Sequence, residues 1–238
     1  MFRVACRAAL CAVVLLVAAC ATAPVPFDHA ASSDVKRIGI VDPGFPDNAS
    51  VVLASSVGQS FGLVGALVDA GMRSSRESDM AALVQKRQFQ AKAEFMQALH
   101  QALTARGYEV VDLKAARKSH DFVDAAAYPH DAPVDAYLDT VVLNCGFLAA
   151  GIGESTPYRP GVALKCQLVS ARNPKQVLMA DTILLNPVNP PKEAIQISAL
   201  PDYAFRDFDA LMADPPRTTE ALTKIVDLSA DTVGKVLE

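Results

Sequence analysis

Five cysteines carry the most distinctive chemistry in this chain, and their positions sort them into three groups. Cys6 and Cys11 fall in an apolar amino-terminal stretch, Cys20 closes that stretch, and Cys145 and Cys166 lie in two later apolar runs. A cysteine thiol can be lipidated, can oxidise to a disulfide, or can act as a nucleophile where its surroundings favour the thiolate. Histidine is scarce, with four in all, so a His-rich metal centre has few ligands to draw on. His120, Asp121, Asp124, His130 and Asp131 come close together in sequence. Their spacing fits no zinc pattern and no cysteine is near, so that segment reads as a solvated loop with no metal. No Gly-x-Ser-x-Gly, His-Glu-x-x-His or phosphate-loop motif occurs. The expectation is therefore no catalytic set, no cofactor and no enzyme.

Cys20 is the sharpest of these positions. Arg3 and Arg7 make the start basic, and an apolar region follows over residues 8–19. That region is too short to span a bilayer, which takes ~20 apolar residues. A basic start, a short apolar stretch and small residues before a cut are the marks of a secretory signal. Val17, Ala18 and Ala19 then lead directly into Cys20. Residues 17–20 resemble the lipobox of bacterial lipoproteins. The resemblance implies a signal peptide over residues 1–19, diacylglycerol on the Cys20 thiol, cleavage before Cys20 and acylation of the new amine by a chain such as palmitate. Cys6 and Cys11 leave with the signal. Two or three acyl chains hold durably, since each buried methylene contributes ~0.8 kcal/mol. The residues after Cys20 are Ala21 and Thr22, not Asp, which implies the outer membrane, on its periplasmic face. Residues 20–34 then read as the lipidated cysteine and a flexible tether with Pro24 and Pro26, able to reach ~45 Å when extended.

Composition narrows the partners. The chain has 22 basic and 26 acidic residues, and loss of Arg3 and Arg7 makes the remainder more acidic still. A nucleic-acid binder would show a basic patch, so no nucleic acid is expected. Half the residues are apolar, enough for a sizeable core in a single α/β domain over residues 35–238.

The elements that must position any site follow from periodicity. Residues 38–41 read as a strand that Pro43 ends. Residues 74–106 read as one long helix, with Ser74 and Glu77 as a capping box, Arg106 at the negative end and Gly107 as a left-handed cap. Strands follow at 108–113, 137–149, 162–171 and 177–185, and a last helix begins near Thr218. The fold class is α/β, a mixed sheet of about five strands packed by a long helix and a carboxy-terminal helix. Tyr203, Phe205, Phe208 and Leu211 read as packed on the body. Residues 50–72 stand apart as a Gly-rich apolar insertion, with Phe61, Leu63 and Leu67 as candidates for partner or membrane contact.

A hairpin folded symmetrically about Ser155 and Thr156 sets Cys145 opposite Cys166, Leu143 opposite Leu168 and Phe147 opposite Leu164. In an oxidising compartment such a pair forms a disulfide or stays as two buried thiols, and both readings stand at this point.

By order of elements, residues 35–238 resemble the periplasmic α/β domain of accessory lipoproteins, such as the curli-export lipoprotein and the penicillin-binding-protein activators, and the amino-terminal domain of a Tol–Pal component. That resemblance implies a non-enzymatic interaction or assembly module in the cell envelope, with a protein partner or a second copy of itself. The alternatives are a ring- or pore-forming export component and an envelope enzyme.

Overall fold

β4 (Ala136–Ala149) is the spine of the molecule because its sequence, AYLDTVVLNCGFLA, is mostly apolar and buried along most of its length. The structure, a computed structural model, describes residues 23–46, 50–53, 62–117, 121–149, 157–186 and 191–238. β1 (Arg37–Val41), β2 (Ser50–Leu53), β3 (Glu109–Leu113), β5 (Tyr158–Ser170), β6 (Val177–Leu185) and β7 (Ile195–Ile197) complete the sheet. Its order is β3-β1-β4-β5-β6-β7, with β2 also beside β4. β1 lies parallel to the start of β4 and β2 parallel to its end, with Gly44 bridging to Val141 between them. β5 and β6 run antiparallel and β7 parallel to its neighbour, so the sheet is mixed and the fold α/β, as expected. The five expected strands are all present. β2 and β7, four and three residues long, are additional and too short to show a period.

Four helices are described: α1 (Gly62–Lys86), α2 (Ala91–Thr104), α3 (Phe208–Ala213) and α4 (Pro215–Lys235). The single helix expected over residues 74–106 is thus two. α1 stops where Gln88 turns left-handed, at φ 58°. The Phe89 amide donates to Val84 O at 3.1 Å and the Gln88 amide to Gln85 O at 3.0 Å, a Schellman closure without its usual glycine. The turn drives Phe89 into the core. Ser74 lies inside α1 rather than at its cap. At the end of α2 the forecast holds: Gly107 has φ 87°, and Arg106 donates to Ala102 O at 2.8 Å.

Helices α2 and α4 cover one face of the sheet. Phe95, Leu99 and Leu103 of α2 and Leu222, Ile225 and Val233 of α4 meet Ile38, Leu138 and Leu164 in the main core. Each such fully buried side chain contributes ~1.5–3 kcal/mol of hydrophobic stabilisation. α4 starts at Pro215, three residues before the expected point, with the Asp214 carboxylate accepting from the Arg217 amide. Phe205 and Leu211 are buried, as expected for that segment. The opposite face of the sheet is smaller, with Val41, Tyr137 and Val169 under Val123 and Tyr128.

The β4–β5 pairing corrects the expected cysteine pair. Cys145 stands opposite Val162 and Cys166 opposite Thr140. The register shifts between Val142 and Asn144, and Leu143 is extruded, 49% exposed. Leu138 and Val142 face the helices before this bulge, and Cys145 and Phe147 after it. An extra residue thus restores the apolar face by changing phase. Cys145 and Cys166 are both buried, and neither is in a disulfide. The four-residue step on β5 from Val162, which faces Cys145, to Cys166 sets the two cysteines' backbones ~13 Å apart along the strand, beyond disulfide reach.

Two other expectations change. The tether does not run free to Asp34. Val25 pairs with Ala180 on the outer edge of β6, with bonds of 2.7 and 2.9 Å, and the Asp28 amide donates to Leu178 O at 3.0 Å. The 50–72 stretch is also less of an insertion than expected. Its first four residues are β2 and its far end is the start of α1. Residues 54–61 lie outside the described residues.

Candidate functional site

A groove of about 1100 Å³ lies between α1, α2 and the start of the β1–β2 connection. Its walls are mixed, with apolar side chains in the majority. Phe45 comes from the chain after β1, Ala81 and Ala82 from α1, and Phe89 and Met96 from the turn and α2, with Cys145 of β4 beneath. The groove exists because the Gln88 turn joins two helices whose facing positions are small: Ala81 and Ala82 on one, Ala91 and Ala93 on the other. Phe45 is held edge-on against Phe95, with ring centroids 5.6 Å apart. At the rim Lys92 Nζ reaches Asp42 Oδ2 at 2.7 Å and ties α2 to the end of β1. Ser78, Gln85 and Gln90 add neutral hydrogen-bonding groups. Such a wall offers burial of apolar surface with a few polar contacts to fix orientation, which is the chemistry of binding. Met96 can adapt its shape to an occupant.

Burial pushes the thiols of Cys145 and Cys166 up to about 12, so at neutral pH both are protonated and weakly nucleophilic. Glu94, whose charge adds to the shift at Cys145, accepts from the Thr223 hydroxyl at 2.9 Å. Neither sulfur therefore acts as a reactive group. They serve as small apolar residues, one of the two readings left open above.

The polar cluster on the other sheet face is a clasp. Asp139 is fully buried and accepts from Arg117 Nη2 at 2.7 Å, from the Val123 amide at 2.7 Å and from the Tyr128 hydroxyl at 3.0 Å. Gln167 donates to Tyr128 Oη at 3.0 Å. Burial first, and then the Asp139 carboxylate, raise the Tyr128 pKa. A buried carboxylate met by a guanidinium and two further donors is fully satisfied, and it fixes Arg117, Val123 and Tyr128 onto the sheet. Asp121 of the suspected metal segment pairs with Lys165 at 2.6 Å, which holds its carboxyl below the ordinary range. His130 and Asp131 are exposed, and His120 lies outside the described residues. Among the described residues no group of three or more His, Cys, Asp and Glu side chains is placed to hold a metal.

Cys20 and Phe61 also lie outside the described residues, and Leu63 and Leu67 are on the first turns of α1. Among the described residues no helix is long and apolar enough to cross a membrane. Sequence reading missed the groove residues Phe45, Phe89 and Met96. The one signal for them is the run of alanines at 81, 82, 91 and 93, which leaves space between helices.

No family model matches the chain, and no curated protein sequence is significantly similar to it. Solved structures share its outline at low identity. A protein described as a neuraminyllactose-binding hemagglutinin homolog from Helicobacter pylori is 13% identical, with 86% of this chain and 84% of that one covered and a TM-score of 0.39. A Xanthomonas campestris protein of family DUF330 is 11% identical, with 90% and 93% covered and a TM-score of 0.39. Likenesses at this level carry no functional argument.

Proposed function

We propose that this protein is a lipid-anchored component of the outer membrane, on its periplasmic face, that works without catalysis as an interaction or assembly module. The observation that carries the reading is the groove. It is open, it is walled by Phe45, Ala82, Phe89 and Met96, and its chemistry suits an apolar segment of a partner protein. Its charged rim residue, Lys92, is already engaged with Asp42. The lipobox over residues 17–20 supplies the address. The export-ring alternative rested on residues 50–72, and both described ends of that stretch belong to the folded body.

A photo-crosslinking residue placed at the exposed Ala82 in the groove, with Glu109 on the far sheet edge as control, tests this in the native envelope. The expected result is a discrete protein adduct from position 82 that position 109 does not give, and its loss when Ala93→Trp fills the groove. The same adducts from both positions, or none from position 82, would overturn the binding role.

A further inference from the structure

The distance between the anchor and the folded body is set by where the chain first joins the sheet. Among the described residues that point is Val25, whose amide and carbonyl both bond Ala180 at 2.7 and 2.9 Å. From there on the chain belongs to the body. Phe27 packs on the main core, the Asp28 carboxylate accepts from the Ala31 amide at 2.9 Å, and Ser32 is buried. Four residues separate Cys20 from Val25. Five Cα steps reach at most ~18 Å. A domain of this length has a diameter on the order of 45 Å if compact. The leash is shorter than half the body it holds.

We infer that the bilayer carrying the Cys20 lipids is met by one side of the protein, the β6–β7 edge, and that the groove is thereby turned toward the periplasm. This rests on the lipoprotein reading proposed above and goes beyond it by fixing an orientation. The geometry leaves little choice. β6 is the strand that Val25 joins, and β7 continues the same edge beside residues 183–185. The β3 edge lies four strands from β6, ~19 Å across the sheet at ~4.8 Å per strand. Bringing it to the membrane would need the leash to pass around the body. The groove sits over the other half of the sheet, against Phe45 after β1 and Cys145 of β4. Around the β6–β7 edge, Lys175, Lys192, Glu193 and Gln196 are exposed and mixed in sign, so that surface tolerates headgroups without drawing on strong charge attraction. The covalent leash supplies the proximity.

The test uses the full lipidated protein in vesicles of phosphatidylethanolamine and phosphatidylglycerol that contain a nitroxide-labelled lipid. A fluorophore is attached in one protein at Lys192→Cys and in another at Glu109→Cys. Cys145 and Cys166 are buried and resist labelling. Intact mass first establishes the lipid on Cys20. The expected result is several-fold stronger quenching at position 192 than at 109. A Gly-Ser spacer of about 20 residues between Ala23 and Pro24, spanning ~25 Å, should bring the two toward equality. Equal quenching in the lipidated protein without the spacer overturns the orientation and leaves the lipoprotein reading standing. A mature chain without lipid overturns both.

Discussion

Asp181 and Asp135 show how two surface-proximal carboxylates of one chain act on stability with opposite sign. Burial raises the Asp181 pKa, against the smaller opposing effect of the Thr182 amide bond. The folded state therefore disfavours its charge, and the penalty exists above the ordinary value of 3.8 and vanishes as pH falls below it. Asp135 accepts from the Arg37 amide at 2.8 Å and the Lys36 amide at 3.0 Å, and these bonds hold its pKa down. Its contribution is present above 3.8 and lost as pH falls through the depressed folded value. Asp181→Asn should raise the melting temperature at pH 7 and lose that gain toward pH 3. Asp135→Asn should lower it at pH 7, with the deficit shrinking on acidification. Melts of both variants across that range check the two signs. Gln88 offers a third residue-scale prediction. A non-glycine residue in the left-handed region costs ~1–2 kcal/mol, so Gln88→Gly should stabilise the protein by about 1 kcal/mol, read from urea unfolding.

At the scale of elements, the Leu143 bulge is the device that holds the sheet in phase. Deleting Leu143 should leave a folded protein, because Leu138, Val142, Cys145 and Phe147 then alternate regularly. Deleting Gly146 should not, because it turns Phe147 and Ala149 away from the helices. Circular dichroism melts of the two deletions separate them. The bulge also marks how far the sequence could be read. Each of the five longer strands and the last helix showed in periodicity, since a continuous apolar run or a helical stripe is a local signal. The bulge is not local. Val141, Leu143, Cys145 and Phe147 alternate without a break in the sequence, so a symmetric register with Cys145 facing Cys166 looks as good as the real one. The break at Gln88 hid for a similar reason. Val84 and Ala91 are seven residues apart, a spacing that one unbroken helix would also give, and neither glycine nor proline announces the turn. β2 and β7 owe their existence to β4 and β6 rather than to their own few residues. The groove was illegible because it is made by two helices that sequence reading had fused into one.

Across the whole molecule, anchor, edge and groove form a single arrangement. From the anchor proposed at Cys20 the chain joins β6 at Val25 and crosses to β1 within the next dozen residues. Arg76 fastens α1 on the helix side, donating to the Tyr158 hydroxyl at 2.8 Å, with its guanidinium 5.3 Å from the Phe208 ring. The Asp139 clasp secures the other face. Among the described residues, the groove between α1 and α2 is open to a partner. All of this has its proposed meaning only if the protein is held at a membrane. The most direct measurement is the intact mass and amino-terminal sequence of the mature protein from its own envelope, beside a Cys20→Ala variant. The account predicts a chain that begins at Cys20 and carries diacylglycerol and an amide-linked acyl group, recovered with the outer membrane, with the Cys20→Ala protein lacking that lipid. A mature chain that begins elsewhere, or that bears a free Cys20 thiol, would contradict it.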